Sequence, residues 1–218
     1  MSARDRILSR LREARGADPS AVDAERAQVE ARIREHRVGP RPTMAWTDTV
    51  ERFRSECVRA SSTVDTVATR ADVPMAVARY LVAKNLQTNV VAWPELGDLD
   101  WAAADIEIDF RAAQADDLVG VTGVHLAIAE TGTLMFLSAP RTHPVTSLLP
   151  ETHIAVVPAA RVLRTMEDAF ERTRIETGGV LPRATNFVSG PSRTADIEGV
   201  LQIGAHGPFR VHVIVVED

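Results

Sequence analysis

Gly123-Val124-His125-Leu126-Ala127-Ile128-Ala129-Glu130-Thr131-Gly132-Thr133-Leu134 carries an apolar run into a polar, glycine-containing turn, and Leu134-Met135-Phe136-Leu137 resumes the apolar character. The stretch reads as two strands, 125–129 and 133–138, with the turn presented at the end of a buried strand. Glu130 there can act as base, nucleophile or ligand-orienting group. Thr131 and Thr133 supply hydroxyls, and Gly132 lets the backbone turn or approach a ligand closely. The same four residues also suit an ordinary hairpin turn. The apolar flanks sharpen the choice, because a buried carboxylate needs partners.

Outward from this stretch, strand and helix patterns alternate. Val64–Ala68, Asn89–Trp93, Ile154–Val157, Asn186–Val188 and Val211–Val216 read as strands, and Ile106-Glu107-Ile108-Asp109-Phe110 as an edge or half-exposed strand. Helices are expected from Thr47 to about Ser61, from a cap at Asp72 with Val73, Val77, Tyr80 and Leu81 on one face, and from the Thr165/Asp168 capping box to about Arg174. A short helix with Ile197, Val200 and Leu201 on one face should stop at Gly204. This alternation predicts an α/β fold with a largely parallel sheet and helices on both faces.

Residues 1–42 read as an N-terminal helical arm and 43–218 as the main domain. Ser2 and Asp5 cap a first helix that ends at Gly16. Asp18-Pro19 opens a second, which runs to about His36 before the Gly39-Pro40-Arg41-Pro42 linker. The apolar stripes of these helices are thin. The arm either packs on its own domain or grips a partner or a second copy, so a homo-oligomer is one expectation.

A second constellation, Ser189-Gly190-Pro191-Ser192-Arg193-Thr194-Ala195-Asp196-Ile197-Glu198, follows a strand and precedes the expected short helix. Hydroxyls of Ser189, Ser192 and Thr194, the Gly190 backbone, the Arg193 guanidinium and N–H groups at a helix start suit a phosphate or carboxylate. It is neither a P-loop nor a Rossmann fingerprint. Alternatively it is a capped loop whose Arg193 pairs with Asp196, Glu198 or Glu130. His206, in the glycine-bounded turn Gly204-Ala205-His206-Gly207-Pro208, can titrate near neutrality as an acid or base, or be structural. Arg141 and His143 either face a ligand or lie on a surface loop.

The formal net charge of −5 argues against broad nucleic-acid or anionic-membrane binding. No apolar run approaches the ~20 residues of a membrane helix, and the charged start is not a signal-peptide core, so a cytoplasmic protein is expected. Cys57, the only cysteine, lies at helical apolar spacing from Val50 and Phe53. It reads as a buried thiol or a reactive one, and cannot by itself hold an iron–sulfur cluster. No zinc pattern occurs among the histidines, so no metal site is expected.

Val121-Thr122-Gly123 through Leu134, Ser147-Leu148-Leu149-Pro150 with Thr152–Pro158, the Ser189–Glu198 string and Gly204–Pro208 together resemble, in order and spacing, the lactate-utilisation protein C family, the stand-alone LUD domain. The resemblance spans roughly residues 45–216. Ala205 is a minor departure, where relatives often carry a larger residue. The resemblance implies a fold similar to the NagB/RpiA/CoA-transferase superfamily. It also implies a role in oxidising L-lactate to pyruvate beside iron–sulfur partner proteins, with no cofactor bound by this chain.

The expectation is a component of a lactate-oxidation system that binds a small anion between the two polar segments. Arg193 would meet the anion's charge, Ser192 and Thr194 would donate hydrogen bonds, and Glu130 would be the acid/base group with His206 as helper. A non-enzymatic scaffold or regulator of that complex, and an autonomous enzyme on phosphosugar or CoA-type substrates, are the alternatives.

Overall fold

The computed structural model describes residues 2–16, 19–37, 39–41, 43–195 and 199–218. The expected cap at Asp18, the linker residue Pro42 and residues 196–198 lie outside the described residues. The chain divides into two compact units, Met1–Met44 and Ala45–Asp218.

The first unit holds helices α1 (Ala3–Arg15) and α2 (Pro19–Arg34). The reciprocal bonds of Ser2 and Asp5 start α1, and Gly16 ends it in the left-handed conformation. Ile7, Leu11, Val29 and Ile33 remain exposed.

The second unit contains helices α3 (Thr49–Arg59), α4 (Val73–Ala83), α5 (Val145–Leu148) and α6 (Met166–Glu176). Its strands are β1 (Thr63–Val67), β2 (Asn89–Ala92), β3 (Glu107–Phe110), β4 (Val119–Thr122), β5 (Leu126–Ile128), β6 (Thr133–Leu137), β7 (Thr152–Pro158), β8 (Val162–Leu163), β9 (Thr185–Val188), β10 (Arg193–Thr194), β11 (Gln202–Ile203) and β12 (Arg210–Val216). Six form one parallel sheet in the order β1-β12-β7-β4-β2-β3. From β2 the chain winds outward to β3, then returns through β4 and proceeds the other way to β7 and β12. The winding direction therefore reverses at the adjacent β2/β4 pair.

Residues alternate between the faces of a strand, so each central strand feeds two cores. Ile154, Val156, Ile214 and Val216 meet Val73, Val77, Tyr80 and Leu81 of α4 on one face. On the other, Ala155, Val157, Val211, Val213 and Val215 meet Phe53 and Cys57 of α3 together with Ala127, Ala129, Leu134 and Phe136. Ala127, Leu134 and Phe136 belong to a second sheet, β8-β5-β6-β9, in which β5, β6 and β9 are antiparallel neighbours, and Ala129 directly follows β5. α6 packs Ala169 against Leu126, Ile128 and Met135 of this second sheet. Each fully buried Phe or Leu contributes roughly 1.5–3 kcal/mol to this arrangement.

The expected largely parallel sheet with helices is present, with the second sheet as an addition. The turn at Glu130 belongs to that second sheet, because a two-strand antiparallel return needs only a short loop while a parallel connection needs a crossover. Asp72 differs in detail from its expected role. Its carboxylate accepts from the Thr69 N–H and hydroxyl and so caps the preceding 3-10 turn, with no side-chain cap on α4.

The short helix expected before Gly204 does not form in the described residues. Arg193 and Thr194 pair antiparallel with Ile203 and Gln202 as a two-stranded ribbon, and Val200 and Leu201 are exposed and non-helical. The apolar spacing that suggested a helix face has no core to face, so tertiary pairing decides the conformation instead.

Candidate functional site

Glu130 lies in the turn between β5 and β6, half-buried, and its carboxylate accepts from the Met166 N–H at 2.7 Å. Met166 is the first residue of α6, so the carboxylate satisfies an otherwise orphan N–H and sits at the positive end of the helix. In this position Glu130 fixes the turn to α6.

The Thr131 hydroxyl lies 2.6 Å from that of Thr133, and Thr133 lies 2.7 Å from the Ser189 hydroxyl. The two polar segments therefore meet through a relay of hydroxyls. Gly132 has φ +63, and a Cβ there would come within 2.5 Å of the Cys57 nitrogen, so its backbone lies against α3. The Cys57 thiol donates to the Gly132 carbonyl at 3.6 Å, and burial pushes its pKa up to about 12. It is a buried thiol with little thiolate character.

The Ser189–Arg193 loop crosses the end of the same helix. Gly190, at φ +78, is pressed on the Ala60 carbonyl, and no side chain fits there. Arg193 donates through Nη2 to the Ala60 carbonyl at 3.2 Å and to the Ser61 hydroxyl. A guanidinium at a helix C-terminus meets partly negative carbonyls, which explains why Arg193 settles there and not on Glu130. Its Nε and Nη1 make no hydrogen bond among the described residues. The Ser192 N–H donates to the Pro208 carbonyl at 2.9 Å, and the Ser192 hydroxyl accepts from the His206 N–H at 3.4 Å.

These contacts enclose a cleft of about 590 Å³ lined by Ser189, Gly190, Ser192, Arg193 and His206 of the expected set, with Arg59, Leu148, Phe187 and Pro208 among its other walls. Glu130, Thr131, Gly132 and Thr133 do not line it; they stand behind it and reach it through Ser189. Thr194 lies in β10 beside the cleft, and Asp196 is outside the described residues.

The cleft opens at the amino ends of the parallel strands, since β1 begins after Ser61, β7 after Leu148 and β12 after Pro208. Arg59 was not singled out by the sequence reading. It bonds the buried Glu56 carboxylate, which Arg52 also meets at 2.8 Å. Its available signal was a basic residue in the last turn of α3. Two guanidinia, two serine hydroxyls and an imidazole give this cleft the chemistry to hold a small anion. Among the described residues no group of three or more His, Cys, Asp or Glu gathers in a way that would hold a metal ion, and no helix is long and apolar enough to cross a membrane.

Lactate utilization protein C of Bacillus licheniformis is 41% identical to this chain over 131 residues, 58% of this chain and 54% of that protein. The Bacillus subtilis protein of the same name is 35% identical over 130 residues, again 58% and 54%. The chain thus spans about half the length of these relatives. A crystal structure of a DUF162 family protein from Deinococcus radiodurans is similar with a TM-score of 0.56 at 24% identity, covering 77% of this chain and 96% of that one. The LUD domain itself matches residues 50–216, which takes in both sheets and every described wall of the cleft, and the chain belongs to the LUD domain family.

Proposed function

We propose that this chain is a cytoplasmic component of a lactate-oxidation system. In this reading it binds a small anion in the Ser192–Arg193–His206 cleft, while iron–sulfur partner proteins carry the redox centres. The observation that carries the reading is Arg193: one end is anchored on Ala60 and Ser61, while Nε and Nη1, unbonded among the described residues, stand at the cleft with the Ser192 hydroxyl. Relatives named for lactate utilisation support the setting. Ser189, held by Thr133, places the loop, and His206 is the group able to take or give a proton at the cleft. Glu130 contributes by fixing the turn to α6.

A scaffold role is the second reading, favoured by the exposed apolar side chains of Leu148 and Phe187 at the cleft and of Ile203 and Phe209 on the adjoining segments. The test is growth on L-lactate as sole carbon source in a strain lacking the chain, complemented by wild type or Arg193→Ala. The expected result is loss of growth, restored by wild type and not by Arg193→Ala. Restoration by both, with complex formation intact on native purification, favours the scaffold. Unimpaired growth without the chain overturns the role.

A further inference from the structure

Glu56 is only 3% exposed, although it lies in the last turn of α3, three residues before the Arg59 that lines the cleft. Burying a carboxylate is costly unless partners offset the desolvation. Two guanidinia do so here. Arg52 brings Nη2 to 2.8 Å from Oε1, and its guanidinium lies 5.9 Å from the centre of the Trp46 ring. Arg59 donates from Nε to Oε2 at 2.5 Å, and its Nη2 pairs with the same oxygen. The Gly132 turn packs on the same stretch of backbone. A Cβ at Gly132 would stand 2.6 Å from the Glu56 carbonyl carbon and 2.9 Å from its oxygen.

The Arg59 side chain is 73% exposed, and an arginine so open ordinarily samples several rotamers. Its Nε edge is taken by Glu56 instead. Nη1 is left without a hydrogen bond among the described residues, on a side chain that lines the cleft. Arg193 is tethered in a similar way at the next residues, with Nη2 on the Ala60 carbonyl and the Ser61 hydroxyl. The end of α3 therefore carries two guanidinia, each fixed by one edge. An anion arriving there also meets the partly negative carbonyls of a helix C-terminus. Its binding then depends on where the guanidinium protons stand and not on net charge alone.

We propose that Glu56 is a positioning residue of the cleft. It holds Arg59 by the Nε edge, so that Nη1 becomes a second contact to the anion beside Arg193. The inference rests on the reading of the cleft as an anion site. It differs in sign from a purely electrostatic role. Neutralising a negative charge near the cleft strengthens anion binding if charge is all that matters. It weakens binding if the placement of Arg59 matters more.

The experiment is an NMR titration of the full chain with inorganic phosphate, reading the backbone amides of Ser192 and His206 and the arginine Nε–H groups. Wild type is compared with Glu56→Gln, Arg59→Ala, Arg59→Lys and the Glu56→Gln/Arg59→Ala double variant, and each amide spectrum also reports folding. In wild type the Arg59 Nε–H should exchange slowly with solvent, and in Glu56→Gln as fast as in exposed arginines. Arg59→Ala should weaken phosphate binding about tenfold, the scale of one charge-assisted contact. Glu56→Gln should weaken it about threefold to tenfold, the scale of freeing one long side chain. In the Arg59→Ala background Glu56→Gln should have no further effect. Unchanged or tighter binding in folded Glu56→Gln overturns the inference. An equal loss in the Arg59→Ala background also overturns it, since Glu56 would then act on the fold and not through Arg59.

Arg59→Lys keeps the charge and loses the paired edge. It should bind nearly as weakly as Arg59→Ala, and wild-type affinity in it overturns the inference even if Glu56→Gln does not fold. A fast-exchanging Arg59 Nε–H in wild type overturns it even where phosphate binds. A slow, Glu56-dependent Arg59 Nε–H in a chain that phosphate does not perturb would uphold the placement of Arg59 while the anion reading of the cleft falls.

Discussion

The hydroxyls of Thr133 and Ser189 lie 2.7 Å apart although 56 residues separate them in the chain. This bond joins the strand after the Glu130 turn to the loop that lines the cleft. Thr133 is almost fully buried at 2% exposure, so its hydroxyl has no water to fall back on. Thr133→Val should cost about 1 kcal/mol in chemical denaturation and speed amide exchange at Ser189 and Gly190. A double-mutant cycle with Ser189→Ala that shows no coupling would mean the bond does not hold the loop.

Arg193→Ala should leave a folded protein that binds phosphate or pyruvate about tenfold more weakly, the scale of one charge-assisted contact. Thermal melts with and without these anions supply the measurement. Ligand-induced stabilisation equal to wild type would remove Arg193 from the cleft's anion chemistry.

Gly190→Ala should destabilise by more than about 1 kcal/mol, since a side chain at φ +78 is strained and its Cβ meets the Ala60 backbone oxygen. All three nearest atoms belong to Ala60 and none is a flexible side-chain end, so relief requires moving the loop off the end of α3. A melt within error of the parent would show that the loop and helix are not in contact in solution.

Burial lowers the pKa of His153 to about 3 and of His212 to about 4. Their unfolded value is about 6.5. Below it the unfolded chain takes up protons that the folded chain refuses, so stability is full above about pH 6.5 and falls as the pH drops toward 4. The limiting slope is about 1.4 kcal/mol per pH unit for each histidine. His212→Phe keeps a ring stacked on Tyr80 and removes one titration. Its unfolding free energy should fall less steeply than the parent's between pH 6.5 and 5, and equal slopes would exclude His212 as a source.

A chain beginning at Thr43 should keep a cooperative melt. Ile7 and Ile33 are 60% and 63% exposed, so the large apolar side chains of the first unit contribute little burial. Any self-association or complex formation of the chain should weaken on this truncation, as read by sedimentation. An insoluble or molten truncated chain would show that the arm belongs to the core.

The sequence made the framework legible where burial is two-sided. The apolar runs of β7 and β12 and the α4 face of Val77, Tyr80 and Leu81 had only one way to be satisfied. The capping box of Thr165 and Asp168 was equally readable, because its donors and acceptors are local. The site was legible in part. Ser189, Ser192, Arg193 and His206 were visible as residue types, yet the partners of Arg193 at Ala60 and Ser61 lie more than 130 positions away. The partner of Glu130 was hidden for the same reason: the Met166 N–H that it accepts from is 36 positions on and carries no side-chain signature. The segment before Gly204 read as a helix because Ile197, Val200 and Leu201 have helical spacing, yet Val200 and Leu201 are exposed and cover no surface.

Helix α3 touches Gly132 at Glu56 and Cys57, and Gly190 and Arg193 at Ala60. Four residues, about one turn, separate the two contacts, so both fall on nearly the same side of the helix. The helix thereby acts as a gauge with two fixed marks. Adding or deleting one residue between Glu56 and Ala60 would rotate one mark by about 100° and slide it about 1.5 Å against the other. Either seat could then be kept only by giving up the other. Substitutions on the outer side of α3, at Val58 for example, should be freely exchanged, while its length between those marks should be invariant in any chain that builds this cleft.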